Sequence, residues 1–76
     1  MAQGKIIEYI DQGRIHCTLC IQDKGNKLHL LTPHNQQLNI SPKRALLISG
    51  SQIDPQGNRE EVLHRLKQVD LLRDRL

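Results

Sequence analysis

The sequence predicts a mainly β domain of five short strands followed by a single amphipathic helix. Between Gly4 and Ser49, apolar residues recur at every second position or in short β-branched runs, the period of a pleated strand. Clusters of Gly, Pro, Asn and Asp interrupt those runs around residues 11–13, 23–26, 32–35 and 41–42, where the chain is expected to reverse. Beyond Gly57 the spacing lengthens, and Val62, Leu66, Val69, Leu72 and Leu76 fall on one helical face.

Each element has its own local signal. Residues 5–10 (KIIEYI) are β-branched and aromatic, suited to a half-buried pleated surface. Residues 14–22 (RIHCTLCIQ) alternate, with Ile15, Cys17, Leu19 and Ile21 on one face and His16, Thr18, Cys20 and Gln22 on the other. Asp23-Lys24-Gly25-Asn26 is a hairpin turn in which the glycine accepts positive φ. Residues 27–31 (KLHLL) return, Pro33 occupies the second position of a turn, and Leu38 and Ile40 point inward from 36–40 (QQLNI). Pro42 lacks the N–H of a central strand, so Ser41-Pro42-Lys43-Arg44 breaks the chain before a last strand over 45–49. Asn58 and Glu61 form a capping box at the start of the helix. The short strands, tight turns and break before the last strand describe a small SH3-like β-barrel over residues 1–50, a linker over 51–57, and a helix over 58–76. A Greek-key barrel of the OB type would need a longer chain.

Composition narrows the function. A chain of 76 residues is one domain, and it buries only about 60% of the surface its unfolded form exposes. Nothing resembles a signal peptide or a membrane span, so the expected compartment is the cytoplasm, where thiols stay reduced. The net charge is +3, and it is asymmetric: residues 1–50 hold six basic against three acidic side chains, while 51–76 hold five of each. This distribution favours a polyanion as a weak partner for the strand-rich part. Tyr9 is the single aromatic residue, which argues against a stacking platform for bases. Any nucleic-acid contact is expected to be weak and electrostatic, carried by Arg14, Lys24, Lys27, Lys43 and Arg44.

The stretch HCTLC at 16–20 raises the question of metal. Cys17-x2-Cys20-x8-His29-x4-His34 offers four ligands of two types at spacings zinc accepts. The residues between and beside the cysteines are strand formers, and in a strand positions i and i+3 face opposite sides. The reading is therefore packing, with Cys17 in the core and Cys20 on the other face, and no metal ligands are assigned. A redox CxxC needs a helix start at its first cysteine, and no helix follows Cys17. No acid pair, phosphate loop or nucleophile motif is present, so no catalytic residue is assigned.

In order, GKIIEYID, the DKGN turn and the NISPKR break resemble the extreme N-terminal domain of bacterial ribonuclease II/R (RNB) family exoribonucleases, over residues 4–49. The helix from Asn58 is similar more loosely. The resemblance implies a longer parent that degrades RNA from its 3′ end with magnesium held by aspartates in a separate catalytic domain. Those aspartates have no counterpart among these 76 residues, so neither activity nor cofactor is carried over. What it implies for this chain is a non-catalytic accessory domain that assists RNA binding or packs on the catalytic body, with Val62, Leu66, Val69 and Leu72 as partner-packing residues. The alternative is a self-contained interaction domain that dimerises through its helix.

Overall fold

The computed structural model describes residues 2–74. Five antiparallel strands form one sheet: β1 (Lys5–Asp11), β2 (Arg14–Asp23), β3 (Leu28–Leu31), β4 (Gln37–Ile40) and β5 (Ala45–Gln52). A short 3-10 turn, Pro42–Arg44, precedes β5, and α1 (Arg59–Asp74) closes the chain. The sheet order is β4-β3-β2-β1-β5. Strands β1 to β4 thus form a meander, and β5 returns to the open side of β1.

Turn chemistry explains the meander. Asp11 pairs with Arg14 across Gln12 and Gly13, and both turn residues have positive φ, 53° and 75°. That is the backbone of a type I′ turn, whose twist matches the strands it joins. In the next hairpin Asp23 Oδ1 accepts from the amide of Gly25 at 2.9 Å, and the amide of Lys24 donates to the Lys27 carbonyl. The third turn is organised by Thr32, whose hydroxyl accepts from the amides of His34 and Gln36. Asn35 sits there at φ 64°. Ser41 caps the 3-10 turn, with Pro42 at its start.

The sheet buries both faces. On one, Ile7, Tyr9, Cys20, Leu28, Leu30 and Ile40 cluster with Ala2, and Leu38 and Ala45 pack against them. On the other, Ile6, Cys17, Leu19 and Leu31 meet Ile53, Val62 and Leu66. Sequence reasoning assumed a single inward face, which left Cys20 outside the core. In fact Cys17 is 2% and Cys20 0% exposed, because the curled sheet covers one face and α1 covers the other.

The barrel is less closed than the sequence suggests. Curling was expected to give both sheet edges a partner, yet among the described residues no pairing joins β4 to β5. Strand β4 has four residues, and β5 meets β1 with register shifts on either side of its central pairs. Such irregularities bend a strand, and β5 stands at the edge of the sheet. Nor are residues 51–57 a simple linker. Strand β5 continues to Gln52, and Ile53 is buried at 4% exposure with its amide donating to the carbonyl of Gly4.

Helix α1 begins as its capping box requires. The Asn58 side chain accepts from the Glu61 amide at 3.1 Å, and Glu60 and Glu61 occupy the first turn, where the helix dipole favours acids. Arg59 reaches across to Asn35 Oδ1 at 2.9 Å, tying the helix start to the third turn. Val62 and Leu66 are buried, Leu63 and Val69 are partly buried against the same cluster, and Leu71 and Leu72 are 59% and 63% exposed. Leu76 and Arg75 lie outside the described residues. Val62 and Leu66 were expected to serve a partner; the chain's own sheet occupies them instead, since α1 lies across β2. No described helix is long and apolar enough to cross a membrane.

Candidate functional site

The basic residues do not gather at one place. Arg14 begins β2, and Lys24 and Lys27 lie beyond its other end. All three are exposed, with the full ten-residue strand between the two groups. Lys43 and Arg44 sit in the 3-10 turn that leads from β4 to β5.

Only Arg44 joins Arg14 at a common end. Its guanidinium donates to the Ile10 carbonyl at 3.1 Å and lies 3.8 Å from Asp11 Oδ1. It also lies 5.7 Å from the centre of the Tyr9 ring, within cation–π range. Tyr9 in turn stacks on His16, with centroids 5.4 Å apart and planes inclined by 25°. Burial and the neighbouring Asp11 push the Tyr9 hydroxyl pKa up, against a smaller opposing effect of Arg44. The residue is therefore a neutral phenol at physiological pH. Arg44 is thus anchored by Asp11, which neutralises part of its field, whereas Lys24 and Lys27 extend from an open hairpin.

Beside the Tyr9–His16 stack is a concavity of about 360 Å³. Residues 14–18 of β2 pair with β1 alone, because β3 pairs only with 19–23. Thr32, Pro33, His34 and Gln36 of the third turn, with Asp70 of α1, wall this notch. At its back Thr18 is fully buried and donates its hydroxyl to the Ile7 carbonyl at 2.9 Å. Polar groups of both signs line it, so it has no electrostatic preference for a phosphate.

The histidine and cysteine residues are dispersed. His29 stands between Asn39 and Gln37, each ring nitrogen 2.8 Å from an amide oxygen. His34 is exposed in the third turn. Cys17 and Cys20 lie in different apolar clusters on opposite faces of the sheet. Among the described residues no three His, Cys, Asp or Glu side chains converge as metal ligands. The strand-region acids are dispersed as well: Glu8 is buried opposite Cys17, Asp11 faces Arg44, and Asp23 holds the N-terminal arm.

The feature that sequence reasoning missed is apolar and uncovered. Leu46, Leu47 and Ile48 of β5 are 55%, 53% and 48% exposed, three consecutive aliphatic side chains on a sheet edge. Ile10 and Ile15, which face each other across β1 and β2, are 48% and 41% exposed. The signal was present in ALLI at 45–48, a run without alternation. Such a run marks a strand in contact on both faces or one that lacks its cover, and periodicity does not separate the two.

Compared with protein-family models, with curated proteins and with solved structures, the chain matches none of them.

Proposed function

We propose that this chain is a non-catalytic accessory domain of a cytoplasmic exoribonuclease of the ribonuclease II/R type, which docks on the catalytic body and lends weak electrostatic contact to RNA. The observation that carries docking is the apolar end formed by β1, β2 and α1. Ile10, Ile15, Leu71 and Leu72 are 41–63% exposed, while Val62 and Leu66 of the same helix are buried. Asp70 and Ile15 border the same concavity, so the last turns of α1 lie near the Ile10–Ile15 end of the sheet. Uncovered aliphatic groups of this kind mark interaction sites in small soluble domains. The exoribonuclease parent is supported by the resemblance of residues 4–49, and magnesium belongs to that parent's catalytic domain.

The RNA contribution is divided between two weakly basic ends, Arg14 with Arg44 and Lys24 with Lys27, with Lys43 on the turn preceding β5. This arrangement supports salt-sensitive, sequence-independent contact with phosphates and no base readout.

Both arms are tested with one set of proteins. An RNB catalytic region supplied as a separate chain should retain this domain, and Ile15→Asp with Leu72→Asp should abolish retention while the domain stays folded. Retention unchanged by both substitutions removes the docking reading. Titration of labelled single-stranded RNA at increasing salt should show affinity falling linearly on a log–log scale. No binding at low salt removes the RNA arm.

A further inference from the structure

The outer edge of β5 begins beside the docking end, where Ala45 pairs with Tyr9, and its chemistry is unusual for an open edge. Strand β5, ALLISGSQ, contains no charged residue, whereas exposed edges are ordinarily protected by Lys, Pro or an inward charge. The other open edge differs: β4 is only four residues long and reads QLNI. Its Gln37 and Asn39 side chains are engaged with His29. An apolar edge therefore faces outward on one side of the sheet and a short polar edge on the other. Ile48 also borders a shallow concavity with Ala2, Lys5, Leu28 and Pro42, which the open β5 edge leaves uncovered.

We infer that β5 pairs antiparallel with β5 of a second copy of this chain, about a two-fold axis at Leu47. A two-fold axis perpendicular to a sheet sets each residue opposite one of the same face, so the numbers of facing residues have an even sum. Centred on Leu47, this register sets Leu47 opposite its own counterpart and Leu46 opposite Ile48. All three exposed aliphatic residues of each copy are then covered at once. Strand β5 itself carries no charged residue, so no like charges meet in the ladder. The register shifts flanking the central β5 residues confine the new ladder to that centre, which favours a closed pair over an open-ended stack. Pairing β4 of one copy with β5 of another would instead set a polar strand against an apolar one and leave further edges open.

Sedimentation equilibrium and directed cross-linking test this. The chain should be a monomer at low micromolar concentration and a dimer approaching millimolar. Leu47→Lys, which sets two ammonium groups face to face at the axis, should weaken the dimer by at least tenfold without lowering the thermal midpoint appreciably. Leu72→Asp should leave the dimer intact. Directly opposed residues of an antiparallel pair lie about 4.5–5.5 Å apart between Cα atoms, within disulfide range. Leu47→Cys should therefore cross-link to itself under mild oxidation, Ile48→Cys should not, and a mixture of Leu46→Cys with Ile48→Cys should form the heterodisulfide. A monomer at every concentration, self-linking of Ile48→Cys equal to that of Leu47→Cys, or assemblies larger than two would each overturn the inference. Loss of the dimer in Leu72→Asp would do the same and return the helix as the contact. Since retention by a catalytic region depends on Ile15 and Leu72, failure of the dimer leaves that reading standing.

Discussion

Asp23 Oδ2 accepts a hydrogen bond from the amide of Ala2 at 2.8 Å, while its other carboxylate oxygen accepts from the amide of Gly25. One side chain thus fastens the N-terminal arm to the end of β2 and shapes the hairpin that follows. The arm is structural: Ala2 is buried within the curled face of the sheet. The two amide donors, that of Ala2 first, hold the Asp23 pKa below its ordinary value.

A group whose folded pKa is depressed stabilises the fold above its unfolded pKa, and loses that contribution as pH falls through the folded value. Stability from Asp23 should therefore be complete above about pH 4–5 and decline below it. In Asp23→Asn, which keeps one acceptor oxygen where the carboxylate has two, the thermal midpoint should be lower at neutral pH. Its decline with acid should be shallower. Thermal unfolding followed by circular dichroism across this range checks both; parallel curves for the two proteins would contradict the assignment.

Leu66 and Leu72 belong to one helical stripe yet differ in burial, at 0% and 63% exposed. Leu66→Ala should cost about 2–5 kcal/mol, as for other buried leucines, and Leu72→Ala should fall within about 0.5 kcal/mol of the parent. Chemical denaturation of both variants measures the contrast. Equal effects would mean that the stripe is packed along its whole length.

Thr18 is fully buried, with its hydroxyl on the Ile7 carbonyl. Thr18→Val preserves shape and removes that donor, so a loss of about 1–2 kcal/mol is expected. A neutral or stabilising change would show that the hydroxyl bond contributes nothing net in this core.

Gly4 has a φ of +83°, and a Cβ at this position would lie 3.3 Å from the carbonyl oxygen of Ile53. Its amide also donates to Cys20, and its carbonyl accepts from Ile53. Gly4→Ala should destabilise by about 1–2 kcal/mol or more from the left-handed backbone alone, with crowding in addition. Gly13→Ala meets open space at φ +75° and should pay only the backbone cost. A smaller effect at Gly4 than at Gly13 would contradict the close approach.

Both cysteines are buried, and desolvation is the main cause that raises the Cys20 thiol pKa. The thiolate is the reactive form, so a thiol reagent should leave the native chain unmodified and titrate two thiols once denaturant is added. Rapid reaction under native conditions would mean that β2 opens locally.

Much of this fold was legible in the sequence because its signals are local. Turn residues at Gly13, Gly25 and Pro42, the alternation across β2, and the Asn58–Glu61 cap each act within a few residues. Strand positions and the helix start follow those cues closely. Alternation also set Cys17 and Cys20 on opposite faces, as their separate apolar clusters show. What alternation does not encode is how many faces of a strand are covered.

That depended on where α1 lies. Once the helix lies across β2, both faces are buried, Cys20 enters the core, and Val62 and Leu66 are no longer available to a partner. The exposure of Leu46, Leu47 and Ile48 is equally a tertiary outcome, since β5 lies at the edge of the sheet with no strand beyond it among the described residues. The sequence by itself determined the elements and their turns, because each rests on short-range sterics and hydrogen bonding. Tertiary structure alone decided which basic residues share an end and which apolar residues remain uncovered, because those depend on packing between segments distant in the chain.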